Sequence, residues 1–245
     1  MPTQDKKLSS NLIIQVEDQF YILASSSLVD QRTRVLKHND LFSVMDRFGD
    51  VQAIGAGQQG LYFKGTRYIS RFVLTVHGER PLLLSSATKE DNAILTIDLT
   101  NSDLYDGSNS RVEMARGSLH FFRAHFLLDR CWYQHLRIRN YGLEPFHANF
   151  AFQWEADFND IFEVRGSHRE KRGSYLKPEI KTNEAILSYR GLDNLIRKTR
   201  IECLPAADEI DSKGARFKVN LKPLEDVDYF ITIACLEDHE EGEMP

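Results

Sequence analysis

Alternation of apolar and polar residues with a period of two runs through most of this chain and constrains its fold more than any other feature. In the clearest stretch, Phe150, Phe152 and Trp154 fall on one face, with small or polar residues between them. Such a period is typical of half-buried β-strands. The same alternation occurs at 68–76, 93–99, 132–139, 185–189 and 217–221. Helix candidates are short, at 159–163 and 32–38.

Many short strands, separated by Gly, Pro and Asn turns, predict an all-β protein. The 245 residues suffice for one large antiparallel β-sandwich (a supersandwich) of roughly a dozen strands with few short helices. Trp154 is predicted to lie in its core. The Gly/Pro turn at 77–81 predicts a hairpin between the strand that ends at Val76 and the one that starts at Leu82.

No Pro- or Ser-rich linker interrupts the chain. We therefore expect a flexible N-terminal tail at 1–10, a single β-sandwich domain at 11–236 and an acidic tail at 237–245.

Composition excludes several partners and cofactors. The net charge of -5 and the pI of about 5.9 give no basic field for nucleic acid or anionic lipid, so we expect neither a nucleic-acid nor a membrane partner. The 3 cysteines include no CxxC pair, and no metal-ligand spacing occurs, so we expect no metal and no cofactor. A reducing cytoplasm is the simplest setting.

A GxGxxG sequence occurs at 55–60 and has the spacing of a dinucleotide-binding loop. That function needs a helix to follow, so that its N-terminal amides hold the pyrophosphate. The residues that follow, Leu61–Phe63, are typical of a strand. We interpret the segment as a glycine-rich loop between strands.

The densest polar cluster lies between Trp154 and Arg172. It contains four acids, followed by Arg165 and further basic residues; the acids are Glu155, Asp157, Asp160 and Glu163. One interpretation is a sugar site, in which carboxylates and arginines bind hydroxyls. The other is an ion-paired loop that closes the sandwich, with Arg67 or Arg71 as partner, and the residues alone favour it.

Two sequence blocks resemble the N-terminal part of bacterial glycogen-debranching-type (amylo-alpha-1,6-glucosidase-like) proteins. The first is GLYFKGTRYISR at 60–71, preceded by DRFGDV at 46–51 and followed by a Leu-Ser-Ser close at 84–86. The second is ADFNDIFEVRG at 156–166. The resemblance extends from about Leu41 through Cys235. Gly65 stands where the pattern usually has an aspartate.

The resemblance implies a sandwich that precedes a helical toroid carrying the catalytic acid and base of a glycoside hydrolase. This chain would then be a non-catalytic N-terminal domain, inactive alone, with 237–245 a truncated linker to a missing C-terminal helical catalytic domain. The implied partners are that domain and an alpha-glucan or oligosaccharide. No catalytic residue is expected here; the expected substrate contacts are Arg67, Asp157, Asp160, Glu163 and Arg165.

Two other functions stay open at this point. A stand-alone mutarotase-like enzyme would need a general acid and base facing each other across a sugar ring. The scattered histidines, His120 and His125 among them, offer no spacing that defines such a pair. A pure protein-interaction module would instead show a large exposed apolar patch.

Overall fold

The computed structural model of this chain describes residues 13–16, 19–22, 33–52, 57–89, 91–105 and 112–239. The chain divides into two compact units, Met1–Arg32 and Thr33–Pro245. In the first, strands β1 (Ile13–Val16) and β2 (Gln19–Ile22) pair antiparallel. The predicted domain at 11–236 thus includes a separate unit at its start. The predicted tail at 1–10 lies outside the described residues.

The second unit is built almost entirely of strands. In chain order they are β3 (Arg34–His38), β4 (Leu41–Met45), β5 (Gly60–Phe63), β6 (Thr66–Ile69), β7 (Arg71–Val76), β8 (Leu82–Thr88), β9 (Ile94–Thr100), β10 (Leu104–Tyr105), β11 (Val112–Met114), β12 (Leu119–Leu128), β13 (Cys131–Asn140), β14 (Phe146–Glu155), β15 (Ser174–Tyr175), β16 (Glu179–Ile180), β17 (Glu184–Arg190), β18 (Leu195–Leu204), β19 (Glu209–Ile210), β20 (Gly214–Leu221) and β21 (Asp226–His239). One short helix, α1 (Ile161–Val164), lies between β14 and β15.

These strands form one nine-stranded sheet, two four-stranded sheets and one two-stranded sheet. The nine-stranded sheet has the order β15-β17-β18-β21-β13-β12-β9-β8, with β16 also paired to β17. The four-stranded sheets have the orders β19-β20-β14-β7 and β3-β4-β5-β6, and β10 pairs with β11. The pairings are antiparallel. The prediction of an all-β antiparallel sandwich is confirmed. Among the described residues, no helix has the length and apolar character needed to cross a bilayer.

Both four-stranded sheets pack against the inner face of the nine-stranded sheet. Phe72 of β7 meets Trp132 of β13 edge to face, with ring centroids 5.1 Å apart. Phe150 of β14 meets Tyr229 of β21 at 4.7 Å. The layers are held by burial of aromatic and aliphatic side chains, worth about 1.5–3 kcal/mol for each large one.

Strand β14 shows why the period of two predicts this architecture well. Its exposure alternates residue by residue, and Trp154 is 1% exposed, so its predicted place in the core is confirmed. The strand ends at Glu155, although the alternation continues on paper to Phe158. Phe158 is nevertheless buried, because its backbone adopts a left-handed conformation with φ 50° that turns the ring inward.

Two local predictions are wrong. Strands β7 and β8 do not form a hairpin, because the chain crosses at 77–81 from a four-stranded sheet to the edge of the nine-stranded sheet. A turn signal fixes where a strand ends and does not fix which sheet the next strand joins. In the helix candidate at 32–38, the described residues Arg34–His38 form strand β3 instead, paired with β4.

The start of the predicted acidic tail belongs to the last strand. Strand β21 continues through His239 and pairs with β18 as far as Leu195. Its acids meet basic partners: Asp238 lies 2.5 Å from the Nζ atom of Lys198, and Glu237 lies 2.8 Å from that of Lys64. Residues 240–245 lie outside the described residues.

Candidate functional site

The two sequence blocks at 60–71 and 156–166 lie against each other in the fold. The backbone N–H of Arg67 donates to the carbonyl of Asn159 (2.8 Å), and the N–H of Ile161 donates to the carbonyl of Gly65 (2.9 Å). Thr66 and Asp160 form an isolated antiparallel bridge. The loop after β14 is thus attached to strand β6 as a short additional strand would be.

An ion pair between Arg67 and Asp157 strengthens this attachment. Arg67 Nε donates to Asp157 Oδ1 at 3.1 Å, and Arg67 Nη2 donates to Asp157 Oδ2. Arg67 Nη1 also donates to the carbonyl of Gly57 at 2.6 Å. Burial opposes the charge of the guanidinium, but the Asp157 contacts outweigh it and raise the pKa of Arg67. Both side chains are therefore occupied by internal contacts.

Asp160 and Glu163 are occupied in capping helix α1. The Asp160 carboxylate accepts the backbone N–H groups of Phe162 (2.8 Å) and Glu163 (2.9 Å), and Glu163 Oε2 accepts the N–H of Asp160 (3.0 Å). This reciprocal arrangement is a capping box. Burial opposes the charge of Asp160, but the N–H of Glu163 and the Arg169 side chain outweigh burial and lower the pKa of Asp160.

Basic residues downstream tie the loop down further. Arg169 Nε donates to Asp160 Oδ2 at 3.1 Å. The guanidinium of Arg172 contacts Asn159, lies 3.3 Å from Glu163, and donates to the carbonyl of Asp157 at 3.0 Å. The predicted ion-paired loop is therefore present, with Arg67 rather than Arg71 as the strand partner.

Two side chains of the loop take no part in this network. The Arg165 side chain is exposed and has no hydrogen-bonded or ion-pair partner among the described residues. Phe162 is 59% exposed. The fold places all five predicted substrate-contact residues in one region. Among them, only Arg165 has a polar side-chain group that makes no hydrogen bond or ion pair with another described residue.

The turn at Lys64 and Gly65 explains the glycine in the first block. Both residues have positive φ angles, 48° and 78°, and they connect Phe63 to Thr66 in a two-residue hairpin. This geometry favours glycine at the second position, where a side chain is strained. A Cβ at Gly65 would meet no atom within 4 Å. This chain therefore forms the turn without the aspartate that the family pattern usually has at position 65.

A shallow depression of about 270 Å³ adjoins the loop. Its lining includes Asp160, Glu163 and Arg172, together with Phe158 and Tyr189, whose rings stack at 5.5 Å. Since the carboxylates are occupied, the depression offers few free polar groups. No histidine lines this depression or the groove of about 580 Å³ described below.

His120 and His125 do not form a pair in the fold. His120 lies on the outer face of β12, beside Asp98 (3.0 Å), whereas His125 is fully buried on the inner face. They are five positions apart, an odd number, so they occupy opposite faces of one strand. Nor does any cluster of three or more His, Cys, Asp or Glu side chains suited to a metal ion occur in the part of the chain that the structure describes.

The glycine-rich segment at 55–60 is followed by a strand, since Gly60 opens β5. The helix that a pyrophosphate site requires is not at this position. Gly55 and Ala56 lie outside the described residues.

Sequence reasoning missed a buried charged network around the DRFGDV segment. Arg123 of β12, fully buried, donates to Asp50 Oδ1 at 2.7 Å and to the carbonyl of Phe48 at 2.6 Å. Arg80 bridges Asp50 (2.7 Å) and Asp46 (2.6 Å). Burial and the neighbouring charge of Asp50 raise the pKa of Asp46. The signal in the sequence was an arginine in the middle of an apolar strand face.

Fold and site together define a β-sandwich domain whose most elaborate loop is fixed by internal polar contacts and bears no assembled catalytic pair. The family model described as the N-terminal domain of (some) glycogen debranching enzymes matches residues 36–232. The chain belongs to this family. No protein with a curated description matches it.

Solved structures support the fold. A protein described as "putative kojibiose phosphorylase from human microbiome" aligns with a TM-score of 0.55 and 10% identity, over 86% of this chain and 30% of its own. This chain therefore spans less than a third of that protein's length.

Two weaker similarities have TM-scores below the value that shows a common fold. A galactose mutarotase-like protein from Lactobacillus casei ATCC 334 aligns at 0.43, with 7% identity, over 83% of this chain and 100% of its own. Heparan sulfate lyase HepC from Pedobacter heparinus aligns at 0.37, with 11% identity, over 83% of this chain and 31% of its own.

Proposed function

We propose that this chain is the non-catalytic N-terminal β-sandwich domain of a glycogen debranching-type glycoside hydrolase. The family match and the state of the loop carboxylates support this function. A glycosidase general acid needs an available carboxyl group whose pKa is raised. Asp157, Asp160 and Glu163 are all hydrogen-bonded within the loop, and the pKa of Asp160 is lowered.

The loop at 157–166 is the surface that contacts alpha-glucan in this proposal. Because its backbone is held by strand β6 and by the capping box, Phe162 and Arg165 are presented without the entropic cost of ordering a mobile loop. An exposed aromatic ring packs on the apolar face of a sugar, and a guanidinium donates to its hydroxyl groups. Arg67, Asp157, Asp160 and Glu163 support the loop from within.

The partner in this proposal is a C-terminal helical catalytic domain, and the setting is the cytoplasm. Three free thiols fit a reducing compartment: Cys131 is partly buried, and Cys203 and Cys235 are buried. Burial raises the pKa of Cys203 to about 12, so this thiol stays protonated and unreactive.

The non-catalytic part of the proposal is tested by assaying this chain on maltodextrins and glycogen. We expect no release of reducing sugar above a buffer control. Hydrolysis that disappears in the Asp157→Asn or Glu163→Gln variant would overturn it. The natural reading frame gives a second test, because the proposal requires a segment with helical periodicity after Pro245.

The glucan contact is tested in the protein that carries both domains. We expect Phe162→Ala and Arg165→Ala to raise KM for glycogen several-fold and to leave the thermal midpoint unchanged. Tyr141→Ala and Arg116→Ala are matched controls, because both residues are exposed and lie on other elements. Equal kinetic effects of test and control variants would exclude a specific role for the loop.

A second candidate function, protein docking, is favoured by the outer face of the nine-stranded sheet. Phe126 (40% exposed) stacks on Tyr133 at 4.9 Å, and Phe230 (47% exposed) stacks on His135 at 4.9 Å. Exposed aromatic rows of this kind mark interaction surfaces. If the helical domain docks here, the variant with Phe126→Lys and Phe230→Lys will remain folded and fail to associate with that domain. Unchanged association would exclude this face.

A further inference from the structure

The outer face of the β19-β20-β14-β7 sheet contains a groove that the family assignment does not explain. Its volume is about 580 Å³, within the range of small-molecule sites, roughly 300–1,000 Å³. Its lining includes neither Phe162 nor Arg165 of the loop. The proposal below therefore does not depend on the function proposed for that loop.

Small residues make the floor of the groove. Ala151 of β14 lies opposite Arg216 of β20, and Gly214 lies opposite Gln153 in the same strand pair. A Cβ at Gly214 would lie 2.5 Å from the carbonyl oxygen of Phe152, so this position requires glycine. The floor is low because two adjacent positions on the sheet surface carry almost no side chain.

Polar side chains make the walls. On one side, Arg216 pairs with Glu209 at 2.7 Å. On the other, Arg71 Nη2 donates to the Gln153 side-chain oxygen at 3.1 Å. Phe152 and Trp154 of β14 border the groove but are 0% and 1% exposed, so their rings point inward, and half-buried Ile210 is its main apolar side chain.

The charges of the groove balance. The lining has three cations and three carboxylates: Arg71, Lys213, Arg216, Glu155, Glu209 and Asp211. A groove without net charge gives no electrostatic preference for an anionic or cationic ligand. A lining of charged and amide groups does not favour an apolar ligand, because such a ligand would strip water from these groups without replacing its hydrogen bonds.

Several of these groups are free to bind. Among the described residues, the Glu155 carboxylate and the Lys213 ammonium group have no hydrogen-bonded partner. The Gln153 side chain keeps both amide hydrogens for donation, because its oxygen accepts from Arg71. The groove therefore offers both free donors and free acceptors to a ligand.

We propose that this groove binds a short neutral oligosaccharide. Each sugar hydroxyl is both a donor and an acceptor, so a chain of hydroxyl groups satisfies alternating carboxylate, amide and ammonium partners. It does so without adding a charge to a balanced groove. The small floor at Ala151 and Gly214 leaves room for the sugar ring between the two walls.

Isothermal titration calorimetry of this chain with maltoheptaose and with cellohexaose tests the proposal. Binding of either ligand is expected, and the difference between them reports the linkage preference. Ala151→Phe fills the floor and is expected to weaken binding at least tenfold. Ala124→Phe is its matched control, a half-buried alanine on the outer face of β12.

A second pair of variants leaves the packing untouched. Lys213→Ala removes a free donor of the groove and is expected to weaken binding about threefold to tenfold. Lys218→Ala removes an exposed lysine of β20 outside the groove and should have no effect. Circular dichroism melting shows whether each variant is folded.

Failure of the wild-type chain to bind either oligosaccharide would overturn the proposal, as would equal binding by Ala151→Phe and wild type. These outcomes are separate from the proposed function, which is judged by turnover of glycogen and by the Phe162 and Arg165 variants. A groove that fails to bind sugar leaves that function standing.

Discussion

The guanidinium of Arg67 on strand β6 and the carboxylate of Asp157 after strand β14 form a two-pronged ion pair across 90 positions of sequence. The pair is largely shielded from water, with side chains 11% and 24% exposed. It connects the two sequence blocks that carry the family resemblance. Both blocks are thus parts of one substructure, a loop and the strand that holds it.

Asp157→Asn should destabilise the domain by about 2–4 kcal/mol, because the Arg67 guanidinium is then left shielded from water without a counter-charge. Urea unfolding followed by tryptophan fluorescence measures the effect. Asp193→Asn is the control, since Asp193 pairs with Arg197 but is 52% exposed, and exposed pairs contribute about 0–1 kcal/mol. Equal losses from the two variants would show that shielding from water is not what gives the Arg67 pair its strength.

The site could be predicted in part. The clustering of acids in 155–163 and their pairing with a basic residue of the first block followed from residue type alone. The separate roles of these acids, in an ion pair or in a helix cap, could not be predicted, because they depend on which carboxylates bind backbone N–H groups. The helix at Ile161–Val164 overlaps the candidate at 159–163, but the role of Asp160 as its cap was not predicted.

The capping role of Asp160 predicts a local effect. Asp160→Ala should destabilise the turn by about 1 kcal/mol, because two backbone N–H groups lose their acceptor. Asp160→Ser is the matched control, since a serine side chain also caps. Hydrogen exchange of the amides at 161–167 measures the effect, and we expect faster exchange for the alanine variant. Equal exchange in both variants would exclude capping as the role.

The same cap should depend on pH. The folded-state pKa of Asp160 lies below its ordinary value of 3.8, despite the opposing effect of burial, because of the Glu163 N–H and Arg169. Its stabilising contribution is therefore complete above about pH 3.8 and is lost as pH falls through the lowered pKa. Protection of these amides should fall in that acid range in wild type and much less in Asp160→Ala.

The buried network gives the largest predicted loss. In Asp50→Asn, Arg123 stays fully buried and loses its charged partner, so we expect a loss of about 3–5 kcal/mol. Asp226→Asn is the comparison, because its contact with Arg139 is 3.8 Å long and both side chains are about 40% exposed. A loss below about 1 kcal/mol in Asp50→Asn would mean that the carbonyls of Phe48 and Gly49 and the Gln134 side-chain oxygen hold Arg123 without the carboxylate.

The fold class was predictable and the strand partners were not. Buried and more exposed residues alternate strictly in β12, β13, β14 and β20, so each of these strands has one buried face. Strand β7 is buried on both faces along most of its length, since Val73 and Thr75 are covered as well as Phe72 and Leu74. The hydrophobic pattern of β7 therefore does not indicate which sheet the next strand joins. For this reason the predicted hairpin at 77–81 was wrong.

Stability should also fall between neutral and mildly acidic pH because of His125. The side chain is fully buried, and its Nδ1 atom accepts the indole N–H of Trp132 at 3.0 Å. Burial, and then the charge of Arg123, lower the pKa of His125 well below 6.5. In the unfolded chain the imidazole binds a proton below about pH 6.5, whereas in the folded chain it does not.

Protonation of His125 therefore stabilises the unfolded state as the pH falls. The free energy of unfolding decreases by about 1.4 kcal/mol per pH unit below pH 6.5, down to the lowered folded-state pKa. His125→Gln removes the titration and keeps an oxygen that can accept from Trp132. Urea unfolding of both proteins at pH 7.5, 6.5 and 5.5 isolates the effect as the difference between two pH profiles. Parallel profiles would show that His125 is protonated in the folded protein, against the environment that Trp132 and Arg123 provide.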